Sequence, residues 1–116
     1  MTSTNPQTVI AIYRVRADRE KEFLALLRRH HPTLRRLGLV TDERPTIYRG
    51  AEKEGGAPII FEIFSWKDAQ ASSAAHELPE VMQVWEAMGS MAEQRDGRPM
   101  FEFPHVSRVD VEFEEA

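Results

Sequence analysis

The feature that most constrains this chain is the order in which two kinds of hydrophobic spacing follow one another. Alternating or β-branched segments at residues 9–15, 39–51 and 57–65, and two more near residues 100–103 and 106–113, predict strands. Apolar residues three and four positions apart at residues 19–37, 65–77 and 79–91 predict helices. The order strand, helix, strand, strand, helix pair, strand predicts a ferredoxin-like βαββαβ domain of the α+β class. Right-handed crossovers give it a four-stranded antiparallel sheet with the helices on one face.

Glycine and proline set the expected ends of several elements. Gly38 is expected to close the first helix in a left-handed conformation. Pro32, inside that helix, predicts a kink or a short break. The polar segment 52–56, which contains two adjacent glycines, predicts a hairpin turn between the second and third strands. Pro79 is expected to begin a new helix, so the second helical region should be split in two.

The composition fits one ordinary globular domain. The chain has 116 residues, a net charge of −4 and no cysteine, which predicts a single domain over residues 1–116 with an ordered core at about 8–113. Without a basic surplus, general nucleic-acid binding is not expected. No apolar run approaches the ~20 residues that span a bilayer, and no signal-peptide pattern is seen, so we expect no membrane partner and a cytoplasmic location.

The sequence offers no pattern for a dedicated metal or nucleotide cofactor. Cysteine ligands are absent, and His30 and His31 are adjacent on a helix, so they point in different directions and cannot form a ligand pair one turn apart. Neither a P-loop nor a GxGxxG motif surrounds the glycines. We therefore expect a protein that works without a cofactor, if it is an enzyme.

Helices on one face of a sheet leave the other face bare, and an apolar bare face indicates an interface. We expect Arg14 and Glu62 to form an ion pair on that face, with Glu102 joining them, and a second copy of the chain to cover it in a symmetric homodimer. The alternative for Glu62 is a carboxylate acting as a general base. The residues predicted for this interface are Ile12, Arg14, Ile60, Glu62 and Phe64.

One stretch of the chain resembles a known family. The residues Phe61-Glu62-Ile63-Phe64-Ser65-Trp66, followed by His76, Pro79-Glu80-Val81 and Trp85-Glu86-Ala87-Met88, are similar to the dimeric α+β-barrel superfamily, in particular its antibiotic-biosynthesis-monooxygenase-like domains. The similarity extends over about residues 8–111 and implies the fold and a homodimer. The superfamily includes cofactor-independent monooxygenases of aromatic polyketides or quinols, haem-degrading enzymes and lactone isomerases. The asparagine that haem-degrading members place on the first strand has no counterpart here.

A pocket between sheet and helices is the expected functional site. His76 and Tyr13 are the candidate catalytic residues, because a histidine with a near-neutral pKa can exchange a proton with a phenolic substrate. For each side chain the alternative is ordinary core packing, and a histidine near a helix end is also favoured by the helix dipole. The candidate substrate-binding residues are Trp66, Trp85, Phe61, Met82, Phe101 and Phe103.

The resemblance, together with these candidate residues, implies three possible functions. The first is a small-molecule-binding homodimer that acts as a cofactor-independent monooxygenase on an aromatic, quinol or polyketide-like substrate. The second is a non-catalytic ligand-binding or structural dimer. The third is a cofactor-free isomerase or lyase, which requires a carboxylate such as Glu62 to face the same cavity as His76.

Overall fold

The computed structural model describes residues 5–52 and 56–115. Over these ranges the elements are, in chain order, β1 (Gln7–Arg14), α1 (Glu20–Arg36), β2 (Thr46–Ala51), β3 (Pro58–Trp66), α2 (Ala71–Ala75), α3 (Pro79–Ser90), β4 (Phe101–Glu102) and β5 (His105–Val106). A short 3₁₀ turn, Ala17–Arg19, leads into α1. Within the described ranges, no helix is long and apolar enough to cross a bilayer.

The strands form one antiparallel sheet in the order β2-β3-β1-β4, and β5 also pairs with β1 beyond a break at Pro104. The two longest strands, β1 and β3, lie side by side at its centre and pair along their whole length. The helices pack on one side, where α1 and α3 contact each other. The predicted α+β fold, with helices on one face of an antiparallel sheet, is confirmed.

The register of the central pair decides which side chains share a face. Ala11 lies opposite Glu62, and Tyr13 lies opposite Ile60. Directly opposite residues of an antiparallel pair point to the same side, so odd-numbered residues of β1 share a face with even-numbered residues of β3. The helices cover that side, which we call the covered face; its centre is buried, as Tyr13, Ile60 and Glu62 show.

The prediction of which β3 residues lie on the bare face is therefore wrong. Ile60, Glu62 and Phe64 belong to the covered face. The bare face instead carries Phe61 and Ile63 of β3 beside even-numbered residues of β1 such as Ile12. The error arose because equal parity was assumed for the two strands, and a one-residue change of register moves a whole strand to the opposite side.

The predicted ion pair between Arg14 and Glu62 is also wrong, because the two side chains point to opposite faces of the sheet. Arg14 is buried and instead pairs with Glu52, at 2.8 Å, and with Glu102, at 2.5 Å. Its Nη1 also donates to the carbonyl oxygen of Pro99, at 2.9 Å. Of the predicted partners of Arg14, Glu102 alone is observed, and the cluster lies at the end of β1.

Gly38 and Pro79 mark helix ends as predicted, whereas Pro32 does not interrupt its helix. Gly38 adopts a φ of +74°, and the N–H groups of Gly38 and Leu39 donate to the carbonyls of Arg35 and Leu34, which is a Schellman motif. Helix α1 continues through Pro32 without interruption, so the expected short break is not observed. Pro79 begins α3, and the second helical region is split as predicted.

The carboxyl-terminal segment differs from its prediction. Only the two short strands β4 and β5 form there, and residues 107–115 carry no secondary structure. Val109, Val111 and Phe113 alternate with charged residues, as in a strand, yet are exposed by 76, 57 and 88%. Similarly, the second strand covers residues 46–51 instead of 39–51. The predicted glycine turn before β3 lies partly outside the described residues.

Candidate functional site

A fully buried carboxylate lies at the centre of the covered face. Glu62 in β3 has 0% exposure. Its Oε1 accepts two hydrogen bonds, from the Tyr13 hydroxyl at 2.7 Å and from Nδ1 of His30 at 2.9 Å. Its other oxygen, Oε2, is buried with no hydrogen-bond partner among the described residues. An unpartnered buried oxygen is costly for stability and therefore calls for an explanation.

His30 links this carboxylate to the helices. It projects from α1, and its Nε2 lies 2.9 Å from Nε1 of Trp85 in α3. An indole nitrogen only donates, so Nε2 of His30 must accept and carry the lone pair. The proton of the neutral ring therefore resides on Nδ1, where it donates to Glu62. Both neighbours select the same tautomer.

Tyr13 supplies the second donor to Glu62 from β1. Burial raises the pKa of the Tyr13 hydroxyl well above 10, and the negative charge of Glu62 and their hydrogen bond raise it further. The phenol therefore remains neutral throughout the physiological range and acts as a donor. The ring packs edge-to-face against Phe101, with centroids 5.2 Å apart.

A cavity of about 150 Å³ lies beside this network, and aromatic side chains form most of its wall. A cavity of this size seats about one aromatic ring. Its exposed rim is formed by His76, Phe103 and His105. The complete lining is Tyr13, His30, Phe64, Trp66, Ser72, His76, Trp85, Met88, Phe101, Phe103 and His105.

Most of the residues predicted for the pocket are brought together. The side chains that line the cavity as expected are Tyr13, Trp66, His76, Trp85, Phe101 and Phe103. Phe61 does not line it, because it points to the bare face. Met82 lies on α3, outside the lining.

His76 occupies the rim. Its Nδ1 is 2.9 Å from the carbonyl oxygen of Ser72, which can only accept, so Nδ1 donates there. Its ring contacts Trp85 edge-to-face, with centroids 4.9 Å apart. His76 thus holds the indole that in turn donates to His30.

The sequence interpretation missed His30 and the true position of Glu62. A signal for His30 was present: Phe23, Leu27 and Leu34 form the buried stripe of α1, and His30 falls on the same stripe at helical spacing. A polar residue in a core position of a helix requires a partner. No local pattern names that partner, because it comes from a strand more than thirty residues away.

The arrangement can accept a proton from a ligand. A neutral imidazole whose Nδ1–H is bound to a carboxylate presents Nε2 as the basic atom, and the carboxylate stabilises the imidazolium that forms. His30 lines the cavity, and its Nε2 accepts from the indole of Trp85, which lines the same cavity.

Comparison with known proteins gives similarity of structure only. No family model matches the chain, and no curated protein matches its sequence. SnoaB, a cofactor-independent oxygenase from Streptomyces nogalater, superposes with a TM-score of 0.64 at 15% identity, covering 92% of this chain and 96% of the other. A candidate antibiotic biosynthesis monooxygenase from Bacteroides thetaiotaomicron gives 0.57 at 19% identity, with 97% of both chains covered.

A third similar structure is Rv0793 from Mycobacterium tuberculosis, with a TM-score of 0.55 at 17% identity over 92% of this chain and 98% of the other. Near-complete coverage in both directions shows that the whole described architecture is shared. At these identities the likeness establishes the fold alone: the chain shares the α+β fold of these three structures, which is the fold that its sequence resemblance implied. Fold alone does not assign a reaction.

Proposed function

We propose that the protein is a cofactor-independent monooxygenase-like enzyme that acts on a small hydroxylated aromatic compound. The observation that carries this proposal is the pair His30 and Glu62, buried at the wall of an aromatic cavity with the basic nitrogen of His30 fixed by its tautomer. The similarity of fold to SnoaB, which is a cofactor-independent oxygenase, supports it.

Substrate activation begins with proton transfer. The hydroxyl of a phenol or quinol replaces the Trp85 indole as the partner of His30 Nε2, and its proton moves to that nitrogen. Glu62 stabilises the resulting imidazolium through Nδ1. The apolar wall opposes the formation of separate charges, so the transfer depends on direct contact of the aromatic anion with the imidazolium, whose charge Glu62 stabilises.

The oxygen step balances without a resident redox group. The aromatic anion passes one electron to O₂, and the resulting superoxide and substrate radical combine at a ring carbon to form a peroxide. Cleavage of the O–O bond leaves one oxygen atom as a carbonyl. The other leaves as water with the two hydrogens lost by the substrate, one from its hydroxyl and one from the ring carbon. His30 returns its proton to the departing hydroxide.

The cavity limits the size of the substrate. A space of about 150 Å³ seats one ring, and any second ring has to extend past the rim at His76 and Phe103. We therefore propose one- and two-ring phenols and quinols as the substrate class.

Oxygen consumption with a panel of monocyclic quinols and 1-naphthol tests the proposal. We expect uptake by the wild-type protein, with loss of at least about a hundredfold in kcat/KM for His30→Gln, as for loss of a general base. Arg29→Gln, at the adjacent exposed position of α1, is the matched control and should retain activity. Uptake that survives His30→Gln unchanged would exclude His30 as the base.

A cofactor-free isomerase is the second candidate. Glu62 does not line the cavity with His76 as that function was expected to require, so it would act through its hydrogen bond to His30, which does line the cavity. Such an enzyme would move a proton without consuming oxygen. Exchange of a substrate C–H hydrogen with deuterium from solvent, in the absence of oxygen uptake, would select this function. Tight binding of the panel with neither reaction would indicate a non-catalytic ligand-binding dimer.

We propose further that two copies pair through the bare face. Ile10, Ile12, Phe61 and Ile63 form an apolar strip on the central strands, where no helix covers them. The exposed apolar side chains of residues 109–113 add a strand-like segment that a second copy could bury. Charged side chains are absent from this central strip, so an interface there would leave no charge unpaired.

A further inference from the structure

A second concave site lies on the far side of α1 from the cavity. Helix α1 and the segment leading into β2 enclose a groove of about 480 Å³. Its polar wall carries Arg28, Arg35 and Arg44, and its apolar wall includes Leu27 and Ile47. The groove and the cavity have no lining residue in common.

The groove is positively charged in a chain whose net charge is −4. Arg35 pairs with Asp42 at 3.0 Å. Neither Arg28 nor Arg44 has an ion-pair partner within residues 5–52 and 56–115. The groove is thus lined by three arginines and one carboxylate, and two of the guanidinium groups are unpaired. This excess of positive charge favours the binding of an anion.

His31 adds a buried polar group to the same groove. It is only 5% exposed, and its Nε2 is buried with no hydrogen-bond partner among the described residues. Burial lowers the pKa of the ring, and the positive charge of Arg35 lowers it further, while Glu62 opposes the effect. The hydrogen-bonding capacity of this nitrogen is therefore unused by the described residues, in a side chain that lines the groove.

We propose that this groove is a second binding site, for a small organic anion that carries a carboxylate on an apolar body. The guanidinium groups of Arg28 and Arg44 hold the carboxylate, and the apolar body packs against Leu24, Leu27 and Ile47. The volume suits a molecule larger than the cavity accepts. The proposal does not depend on the reaction proposed for the cavity.

Calorimetry with 1-naphthoate and with octanoate tests the site on the full chain. We expect saturable binding of both, and binding of the neutral analogue 1-naphthalenemethanol that is weaker by about tenfold or more. The double variant Arg28→Gln/Arg44→Gln should weaken naphthoate binding by at least about tenfold, as expected for loss of charge-assisted contacts. A double variant at exposed α1 positions outside the groove, Lys21→Gln/Arg29→Gln, removes the same charge and should change affinity less than about twofold.

Chemical-shift mapping locates the ligand. Naphthoate should shift the Ile47 methyl and His31 ring signals and leave the Trp85 indole N–H signal in place. The proposal is overturned if the two double variants weaken binding equally, if Trp85 shifts instead, or if neither carboxylate binds saturably. Inorganic phosphate that binds as tightly as naphthoate would also overturn it, since the apolar body would then contribute nothing.

Discussion

The two faces of the central strand pair each contain side chains that their surroundings do not favour. The covered face, beneath the helices, holds the buried carboxylate of Glu62 and the hydroxyl of Tyr13. The bare face, with no helix over it, presents aliphatic and aromatic side chains such as Ile12 and Phe61. Polar groups usually face solvent and apolar groups usually face the core. Glu62 departs from that rule within a covered face that is otherwise largely apolar, and the bare face departs from it along its apolar strip. Stability alone does not account for either face.

The proposed functions account for each of these departures. A carboxylate held at 0% exposure with one oxygen unpartnered costs stability, and its proposed part in proton transfer gives a reason for that cost. An uncovered apolar strip is a liability unless a second copy covers it. The proposed function places proton transfer at the covered face and the proposed pairing of two copies at the bare face, so substitutions that affect one face should leave the other intact.

The largest effect is expected for Glu62→Ala, because this substitution leaves two buried donors, the Tyr13 hydroxyl and His30 Nδ1, without their acceptor. We expect the free energy of unfolding to fall by about 3–5 kcal/mol, measured by urea denaturation. Glu62→Gln keeps an acceptor of the same size and should lose less stability while still abolishing proton transfer by His30. A loss below about 1 kcal/mol for the alanine variant would contradict the role of Glu62 as the centre of the network.

The bare face is tested by Phe61→Glu. A single carboxylate buried without a partner at an interface should raise the dimer dissociation constant by about a hundredfold or more, as followed by analytical ultracentrifugation. Gln83→Glu adds the same charge on an exposed helix surface and should leave assembly unchanged. A wild-type protein that sediments as a monomer at all concentrations would contradict pairing through this face.

Tyr13→Phe removes one of the two donors to Glu62 and should cost about 1–2 kcal/mol of unfolding free energy. Tyr48→Phe, at an exposed position, should stay within about 0.5 kcal/mol. The raised pKa of Tyr13 means that the folded state holds the phenolic proton more tightly than the unfolded state. Wild-type stability should therefore fall as the pH rises above about 10, and Tyr13→Phe should lose that dependence.

The smallest expected effect on stability is that of His31, a buried residue of α1. Its lowered pKa means that the unfolded state binds the proton more readily, so stability is present above the unfolded pKa and falls as the pH drops below about 6.5. We expect His31→Gln to flatten this part of the stability profile by up to about 1 kcal/mol. An unchanged profile in the variant would show that His31 does not carry the dependence.

The sequence was sufficient for the fold because periodicity and helix-ending residues are local signals. It was insufficient for the register of β1 against β3, because these strands are far apart in the sequence and their pairing depends on tertiary packing. A shift of one residue in this register would move Glu62 to the face that carries Arg14. In the observed register it lies on the covered face and accepts a hydrogen bond from His30. The same limit applies at residues 107–113, where strand-like alternation is present and a pairing strand is absent from the described part of the chain.

The candidate site was predictable in its aromatic wall and less so in its polar centre. Tyr13, Trp66 and Trp85 stand out by residue type, since large aromatic side chains near strand and helix ends are expected to meet. His30 and Glu62 come together only through tertiary packing of α1 on β3, and neither carries a local motif. The polar centre could therefore be identified only from the structure.

The hydrogen bond from Trp85 to His30 has a consequence for selectivity. With no ligand bound, the basic nitrogen is already satisfied by an indole N–H, so an incoming donor must be strong enough to replace it. An aliphatic alcohol is too weak a donor to gain much from this exchange, whereas a phenolic hydroxyl is more acidic than either the alcohol or the indole. The site should therefore discriminate among ring-sized molecules by acidity as well as by shape.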